Sequence, residues 1–255
     1  MCIRDRLDRE AFFVTFAGKK ALVTAGGTRE AIDAVRFIGN KSSGKQGYAI
    51  AEEAFERGAD VTLVATVVRE MSDGIDRLLV ESAAEMREAV VGCAGEADVV
   101  IMAAAVADFR PSSVRPVKYK KSEGVPTLTL EPTADILAEL GQAKSASQVL
   151  VGFAAESDNL EANACRKLAE KNADIIVANN IISADAGFDS DTNEVMIFSW
   201  VASDLAGRTA AETTERPAEQ TATETINQLH VPSVSKREVA SVLLDVVESH
   251  IARLR

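Results

Sequence analysis

Histidine is almost missing from this chain: of 255 residues only His230 and His250 are histidine, both near the C-terminus. That argues against a histidine-ligated metal and against a Ser-His-Asp triad. Cysteine is scarce too. Cys2, Cys93 and Cys165 have no paired spacing and their number is odd, which speaks against a disulfide framework and for a reduced, cytoplasmic setting. Aromatic residues make up 5%, so apolar burial must come mainly from Ala, Val, Ile and Leu. No apolar run reaches the roughly 18 residues of a membrane-spanning helix, and no secretory pattern of charged start, apolar middle and small-residue cleavage site is read. Positive charge is in deficit as well, with a net charge of −11. A general nucleic-acid footprint is basic and is not expected here. A small anionic ligand remains compatible wherever lysines are gathered locally.

What is present is the rhythm of an α/β protein. With 47% hydrophobic and 26% charged residues, the chain can bury one large core or two small ones. Residues 1–17 show no periodicity or capping pattern and read as a leader or an assembly scar, with the domain running over 18–255. From Lys19 onward short apolar runs alternate with helical patterns. Strands are expected at Ala21–Ala25, Val61–Val68, Leu78–Val80, Asp98–Ala107, Leu128–Leu130, Val149–Ala154 and Asp174–Ala178. Helices are expected at Tyr48–Arg57, Ala83–Ala94, Ala134–Leu140, Leu160–Asn172 and Lys236–Leu254. This alternation implies a Rossmann-like layered sheet, mostly parallel, with ligands beyond the carboxyl ends of its strands. Two segments break the rhythm. Arg110–Pro126, with three prolines and a basic cluster, reads as a flap loop, and residues 202–226, rich in Ala, Thr and Glu, read as a solvent-exposed insertion.

Four clusters could carry chemistry. Ile38-Gly39-Asn40-Lys41-Ser42-Ser43-Gly44-Lys45-Gln46-Gly47 precedes a helix, where unpaired N–H groups and the helix dipole favour an anion; an ordinary glycine-rich connection is an equal reading. It is neither a dinucleotide fingerprint nor a Walker loop, since Gly26-Gly27-Thr28 is followed by an intervening stretch and Gly44-Lys45-Gln46 lacks the required Ser/Thr. Asp108 ends an apolar, small-residue run from Met102, either at the functional edge of the sheet or as a solvated loop start. Lys118-Tyr119-Lys120-Lys121 is a phosphate clamp or a solubilising patch. Val151-Gly152-Phe153-Ala154-Ala155-Glu156 ends a strand, and Lys167 and Lys171 follow at i and i+4 on one helical face.

The ordered set Thr24-Ala25-Gly26-Gly27-Thr28-Arg29-Glu30, Ile32-Asp33, Val35-Arg36, Asn40-x-Ser-Ser-Gly-Lys-x-Gly, Ala104–Phe109, Lys118-x-Lys-Lys, Val151–Glu156, Asp174–Asn180, Gly187-Phe188-x-x-Asp191-x-Asn193 and Ser235–Ala240 resembles bacterial phosphopantothenoylcysteine synthetase. The match runs from about Lys19 to the C-terminus outside the insertion. The resemblance implies a ligase that joins 4′-phosphopantothenate to cysteine through an acyl-cytidylate, using CTP and Mg²⁺ and no flavin in this domain. It implies catalytic roles for Asn40 and Lys118. Nucleotide contacts are implied for Met102, Ala103, Ala104, Asp108, Lys118, Ala134, Asp135, Ile136, Leu137, Phe153, Lys167 and Lys171. Phosphate-loop positions are Gly26, Gly27, Ser42, Gly44 and Gly47; metal ligands are not specified. It implies a homodimer, and neither nucleic acid nor membrane as partner. Many such proteins carry a flavin-dependent decarboxylase domain ahead of this one, so the sequence could be the second half of a bifunctional protein. Ala31 and Ala34 stand where prolines are common, and Asn180 where Asp is common.

Two other classes compete: an NAD(P)- or flavin-dependent oxidoreductase on the same layering, and a non-catalytic nucleotide sensor. The first requires an acid at the end of the second strand to bind ribose, and Val64–Val68 offers none. The second would need no Asn40.

Overall fold

Six parallel strands form the heart of the molecule, which is a computed structural model describing residues 16–156, 159–180, 190–200 and 226–254. In chain order they are β1 (Lys20–Ala25), β4 (Asp60–Ala65), β5 (Asp76–Leu79), β6 (Val99–Met102), β9 (Val149–Glu156) and β10 (Ile175–Asn180). Across the sheet they run β10-β9-β6-β1-β4-β5, the doubly wound order in which ligands bind where the winding reverses, here between β1 and β6. Two further strands, β11 (Thr192–Trp200) and β12 (Ile226–Ser235), extend the β10 edge in antiparallel pairing. Two small ribbons stand outside this sheet: β2 (Arg29–Ala31) with β3 (Phe37–Gly39), and β7 (Phe109–Pro111) with β8 (Leu130–Pro132).

Strand alternation sorts the helices into two layers. Ala21, Val23, Ala25, Leu63, Ile101, Val151 and Val177 face the helices α1 (Lys45–Glu56) and α5 (Lys236–Arg253). On the opposite face Leu22, Val64, Val100, Met102 and Leu150 pack on α2 (Ala83–Ala94) and α3 (Ile136–Ala143). Ile176 and Phe198 on that side pack on α4 (Leu160–Glu170). With few aromatics, the core is indeed aliphatic. Arg57, nearly buried, ties α1 to α5 through Glu53, Asp245 and the Ser241 backbone oxygen. Helix α5 starts with a capping box in which Ser235 and Glu238 satisfy each other's backbone N–H groups, a device worth about 1 kcal/mol. Among the described residues no helix is long and apolar enough to cross a membrane, and Cys93 and Cys165 are unbridged.

Several expectations need correction. Phe16, assigned to the leader, is fully buried in the core and donates its N–H to the Arg57 oxygen at 3.1 Å; residues 1–15 lie outside the described residues. The long apolar run at 98–107 is strand only over Val99–Met102. Beyond Met102 the backbone finds partners in the neighbouring turn rather than in a ladder. The flap leaves from the β7–β8 ribbon and includes a short 3₁₀ turn at Lys121–Glu123, so it is not a bare loop. The expected insertion lies outside the described residues except for Ile226, the first residue of β12. Strands β2, β3, β7, β11 and β12 were not expected.

Candidate functional site

A cleft of about 770 Å³ opens beyond the carboxyl ends of the parallel strands at the β1–β6 reversal. Its floor is built by lacing two turns together. Ala105 donates to the Gly26 oxygen at 2.8 Å and accepts from Thr28 N–H at 3.2 Å. The Thr24 hydroxyl accepts from Ala104 N–H at 3.0 Å, and that of Thr28 accepts from Ala107 N–H at 2.9 Å. These threonines are fully buried. Such bonds satisfy the backbone of a chain that has left the sheet without reaching water.

One wall is the segment 39–47, which connects β3 to α1. It rests on Gly27: a Cβ there would lie 2.5 Å from the Asn40 carbonyl oxygen, so a glycine is required by contact. Helix α1 is preceded by Gly44 at its N-cap, which has no side chain to cap the first turn. The orphan N–H groups and the dipole of that turn therefore face the cleft unneutralised by a capping side chain. The opposite wall is Thr133–Leu137 and the start of α3, with Phe153–Ala155 from β9. Asn179, Asn193 and Lys236 close the third side.

Charge is distributed unevenly. Five lysines (Lys41, Lys45, Lys167, Lys171, Lys236) line the cleft against two acids, Asp108 and Asp135, although the chain carries −11 overall. Several lysines are held by carboxylates. Lys171 Nζ lies 2.5 Å from Asp135, Lys167 Nζ 2.8 Å from the buried Glu156, and Lys45 Nζ 2.8 Å from Asp191. Burial opposes ionisation of Asp135, but the Lys171 ammonium and the Ala138 N–H hold its carboxyl below the usual range. Lys45 does the same for Asp191. These pairs keep ammonium groups oriented at the rim of the site, available to exchange a carboxylate for a ligand phosphate.

The structure brings together Asn40, Ser42, Gly44, Gly47, Met102, Ala103, Ala104, Asp108, Ala134, Asp135, Ile136, Leu137, Phe153, Lys167 and Lys171 around one cleft. Gly26 and Gly27 lie beneath it in the floor and do not line it. Lys118 does not line it either; it is exposed on the flap. Asp108 sits six residues past the end of β6 rather than at the strand end, its carbonyl accepting from Thr133 N–H at 2.9 Å. Lys45, Thr133, Asn179, Asn193 and Lys236 line the site without having been assigned to it. Lys45, Asn179, Asn193 and Lys236 did stand in the motifs that carry the resemblance, which was the one usable signal. No group of three or more His, Cys, Asp or Glu residues able to hold a metal occurs among the described residues.

Fold and cleft together define a doubly wound α/β protein with a cleft at the switch point, walled by lysines in an otherwise acidic chain. The particular lineage is also clear. The chain belongs to the family described as DNA/pantothenate metabolism flavoprotein, C-terminal domain, whose sequence model matches residues 16–214. It is 52% identical over 183 residues to the coenzyme A biosynthesis bifunctional protein CoaBC of Bacillus subtilis strain 168, covering 71% of this chain and 45% of that protein. It is 47% identical over 182 residues to a protein named cysteine/cysteine sulfinic acid decarboxylase from an unknown prokaryotic organism, covering 71% and 51%. The crystal structure of the C-terminal domain of a CoaBC protein superposes with a TM-score of 0.72 at 37% identity, covering 93% of this chain and 98% of that one. The chain spans about half the length of the curated relatives it matches.

Proposed function

We propose that this chain is a phosphopantothenate–cysteine ligase of coenzyme A biosynthesis, with CTP as co-substrate and CMP and pyrophosphate as products. The observation that carries the reading is the gathering of five lysines and an uncapped helix start around one switch-point cleft, next to Asn40, in a chain similar to CoaBC proteins. A carboxylate oxygen of 4′-phosphopantothenate attacks the α-phosphorus of CTP and pyrophosphate leaves. The cysteine amine then attacks the acyl carbon, loses a proton, and CMP leaves. Free carboxylates acylate poorly; the cytidylate makes the carbonyl carbon attackable.

The α1 first turn and the Ser42–Gly47 segment would receive phosphate oxygens, and the flap residue Lys118 would meet the charge that builds during the first step. The Asn40 amide would donate to the acyl oxygen during the second. Met102–Ala104 and Ala134–Leu137 line the cleft, with Ala103, Ala104 and Ala134 leaving room for a flat base to lie against them, and Phe153, Lys167 and Lys171 beside them. Mg²⁺, when bound with the nucleotide, would neutralise phosphate charge. The donor set fits an ion that arrives on the triphosphate, because such ions take one or two protein carboxylates and leave the rest to phosphate and water; Asp108 and Asp135 are the exposed carboxylates that line the cleft, and Asp135 is paired with Lys171. A homodimer is supported by apolar residues left exposed on the two ribbons, Val35 and Phe37 around β3 and Phe109 and Leu130 on β7–β8; light scattering on the purified chain tests it.

The function is tested by incubating the purified protein with CTP, Mg²⁺, 4′-phosphopantothenate and cysteine. Pyrophosphate should appear in step with CMP, and CTP should outcompete ATP. No pyrophosphate with any nucleotide overturns the ligase reading, and carbon dioxide released from cysteine in its place favours the decarboxylase named among the relatives.

A further inference from the structure

Among the described residues Asp33 is the most thoroughly enclosed acid. It sits at the tip of the β2–β3 hairpin, and its side chain is 0% exposed. Oδ1 accepts the N–H groups of Val35 at 2.8 Å and Arg36 at 2.9 Å, which an aspartate at a turn commonly does. Oδ2 takes the Arg36 guanidinium and, in addition, the backbone N–H of Tyr119 at 3.0 Å, 86 residues away in the flap. Burial works against a charged carboxyl here. The N–H groups of Tyr119, Val35 and Arg36 and the Arg36 guanidinium outweigh it and hold the group down at about 2, so the anchor is a carboxylate throughout the physiological range.

Other contacts converge on the same junction. Arg115 N–H donates to the Ile32 oxygen at 3.1 Å. The Arg115 guanidinium lies 4.5 Å above the Tyr119 ring, a cation–π geometry, and pairs with Glu123. The Arg36 guanidinium reaches the Tyr119 oxygen at 3.4 Å. Lys118 immediately precedes the anchored residue and is itself exposed. The flap is thus held at the residue after Lys118 by a hairpin whose following strand runs into the Asn40 segment.

We propose that Asp33 is a positioning residue: its buried carboxylate fastens the flap to the β2–β3 hairpin and thereby sets where Lys118 stands. The fastening stands on geometry alone, whereas its consequence for catalysis rests on the ligase reading above. A backbone N–H on a buried carboxylate is a charge-assisted bond, and losing one shifts a local opening equilibrium by about tenfold or more. Removing it should leave Lys118 on a loose tether.

The test is limited trypsin digestion of the full chain, with cleavage after Lys118, Lys120 and Lys121 read by mass spectrometry. Asp33→Ala should speed flap cleavage by about tenfold or more while the fold, followed by circular dichroism, persists. Asp33→Asn keeps the shape but sets an amide against N–H donors, and should act in the same direction. Flap cleavage unchanged in folded Asp33→Ala or Asp33→Asn overturns the proposal. Should neither variant fold, hydrogen exchange in the wild-type chain decides: a protected Tyr119 amide supports the anchor, and exchange as fast as that of the flap tip overturns it. For the catalytic consequence, pyrophosphate release by Asp33→Ala/Lys118→Gln should be no slower than by Lys118→Gln alone, although Asp33→Ala by itself is slowed. Additive losses would remove the link to Lys118. A wild-type chain that releases no pyrophosphate sinks the ligase reading and leaves the anchor to the protease and exchange results.

Discussion

The side-chain amide of Asn40 donates from Nδ2 to the backbone oxygen of Val106 at 3.0 Å, joining the segment before α1 to the loop after β6 across the mouth of the cleft. An amide carries two N–H donors, so one holds the loops together and a second exists for a ligand. Replacing it with aspartate sets a carboxylate against a carbonyl oxygen and deletes both donors. Asn40→Asp should still release pyrophosphate yet form the amide about 10²- to 10³-fold more slowly, the usual loss when one oxyanion donor is removed. Rapid-quench analysis should show acyl-cytidylate building up. Amide formation at the wild-type rate would strip Asn40 of this role.

Lys118 is exposed and is not among the residues that line the cleft. Its charge is expected to matter to the reaction and not to the fold. Lys118→Gln should lose most of the pyrophosphate-forming activity, about 10²-fold or more by the magnitude of lost transition-state electrostatics. Its unfolding free energy should stay within about 0.5 kcal/mol, as for ordinary surface changes. Full activity would reduce the lysine cluster to a solvated patch.

Gly141 lies in α3, where a Cβ would come within 1.8 Å of the Lys171 carbonyl oxygen, and the Asn172 amide donates to the Gly141 oxygen at 2.7 Å. This contact sets the corner after α4 that carries Lys171 to the site. Gly141→Ala should destabilise by about 1–3 kcal/mol through overpacking and weaken CTP binding, as read by denaturant melts and nucleotide titration. Gly92→Ala is the control. Gly92 is exposed in α2 with no atom within 4 Å of an added Cβ, so alanine should stabilise by about 0.5–1 kcal/mol. Equal effects at the two sites would show that the corner has room to move.

Burial pushes the His250 imidazole below its ordinary value, with Asp174 opposing and Arg253 and Lys144 adding to the shift. Its neutral form is thus the folded one, and its Nε2 is enclosed without a hydrogen-bond partner. The unfolded chain binds the proton more readily, so the stability contributed is complete above about pH 6.5 and drains away as the pH falls below it. Thermal melts from pH 7.5 to 5.5 should show the difference between wild type and His250→Gln shrinking with acid. A difference constant over that range would mean that His250 does not titrate.

Much of the architecture could be read along the chain because the inner parallel strands are buried on both faces and write short apolar runs, as at Val61–Val64 and Val149–Val151. Strands that depend on a partner left no such mark. β2 and β3 are three residues each and exist only through their mutual pairing, while β12, Ile-Asn-Gln-Leu-His-Val-Pro-Ser-Val-Ser, has no clean alternation. The run from Met102 to Ala107 looked like more strand because small apolar residues suit both a buried strand and a floor turn. Only the position of Thr24, Gly26 and Thr28 opposite it decides where the ladder ends.

The candidate site divides the same way. Asn40, Asp108 and the lysines at 167 and 171 were legible as residue types in ordered motifs, and the glycine segment before α1 as a place for an anion. That Asn179, Asn193 and Lys236 face the same cleft was not, because they arrive from β10, β11 and the start of α5. By itself the sequence determined the layered α/β class, the aliphatic core and the motif order, all of which depend on local pattern and spacing. The tertiary structure alone decided that Lys118 does not line the cleft, that Phe16 belongs to the core, and that Asp33 reaches Tyr119. Those are contacts between residues far apart in the chain, and nothing in local periodicity reports which distant backbone group a buried carboxylate will find.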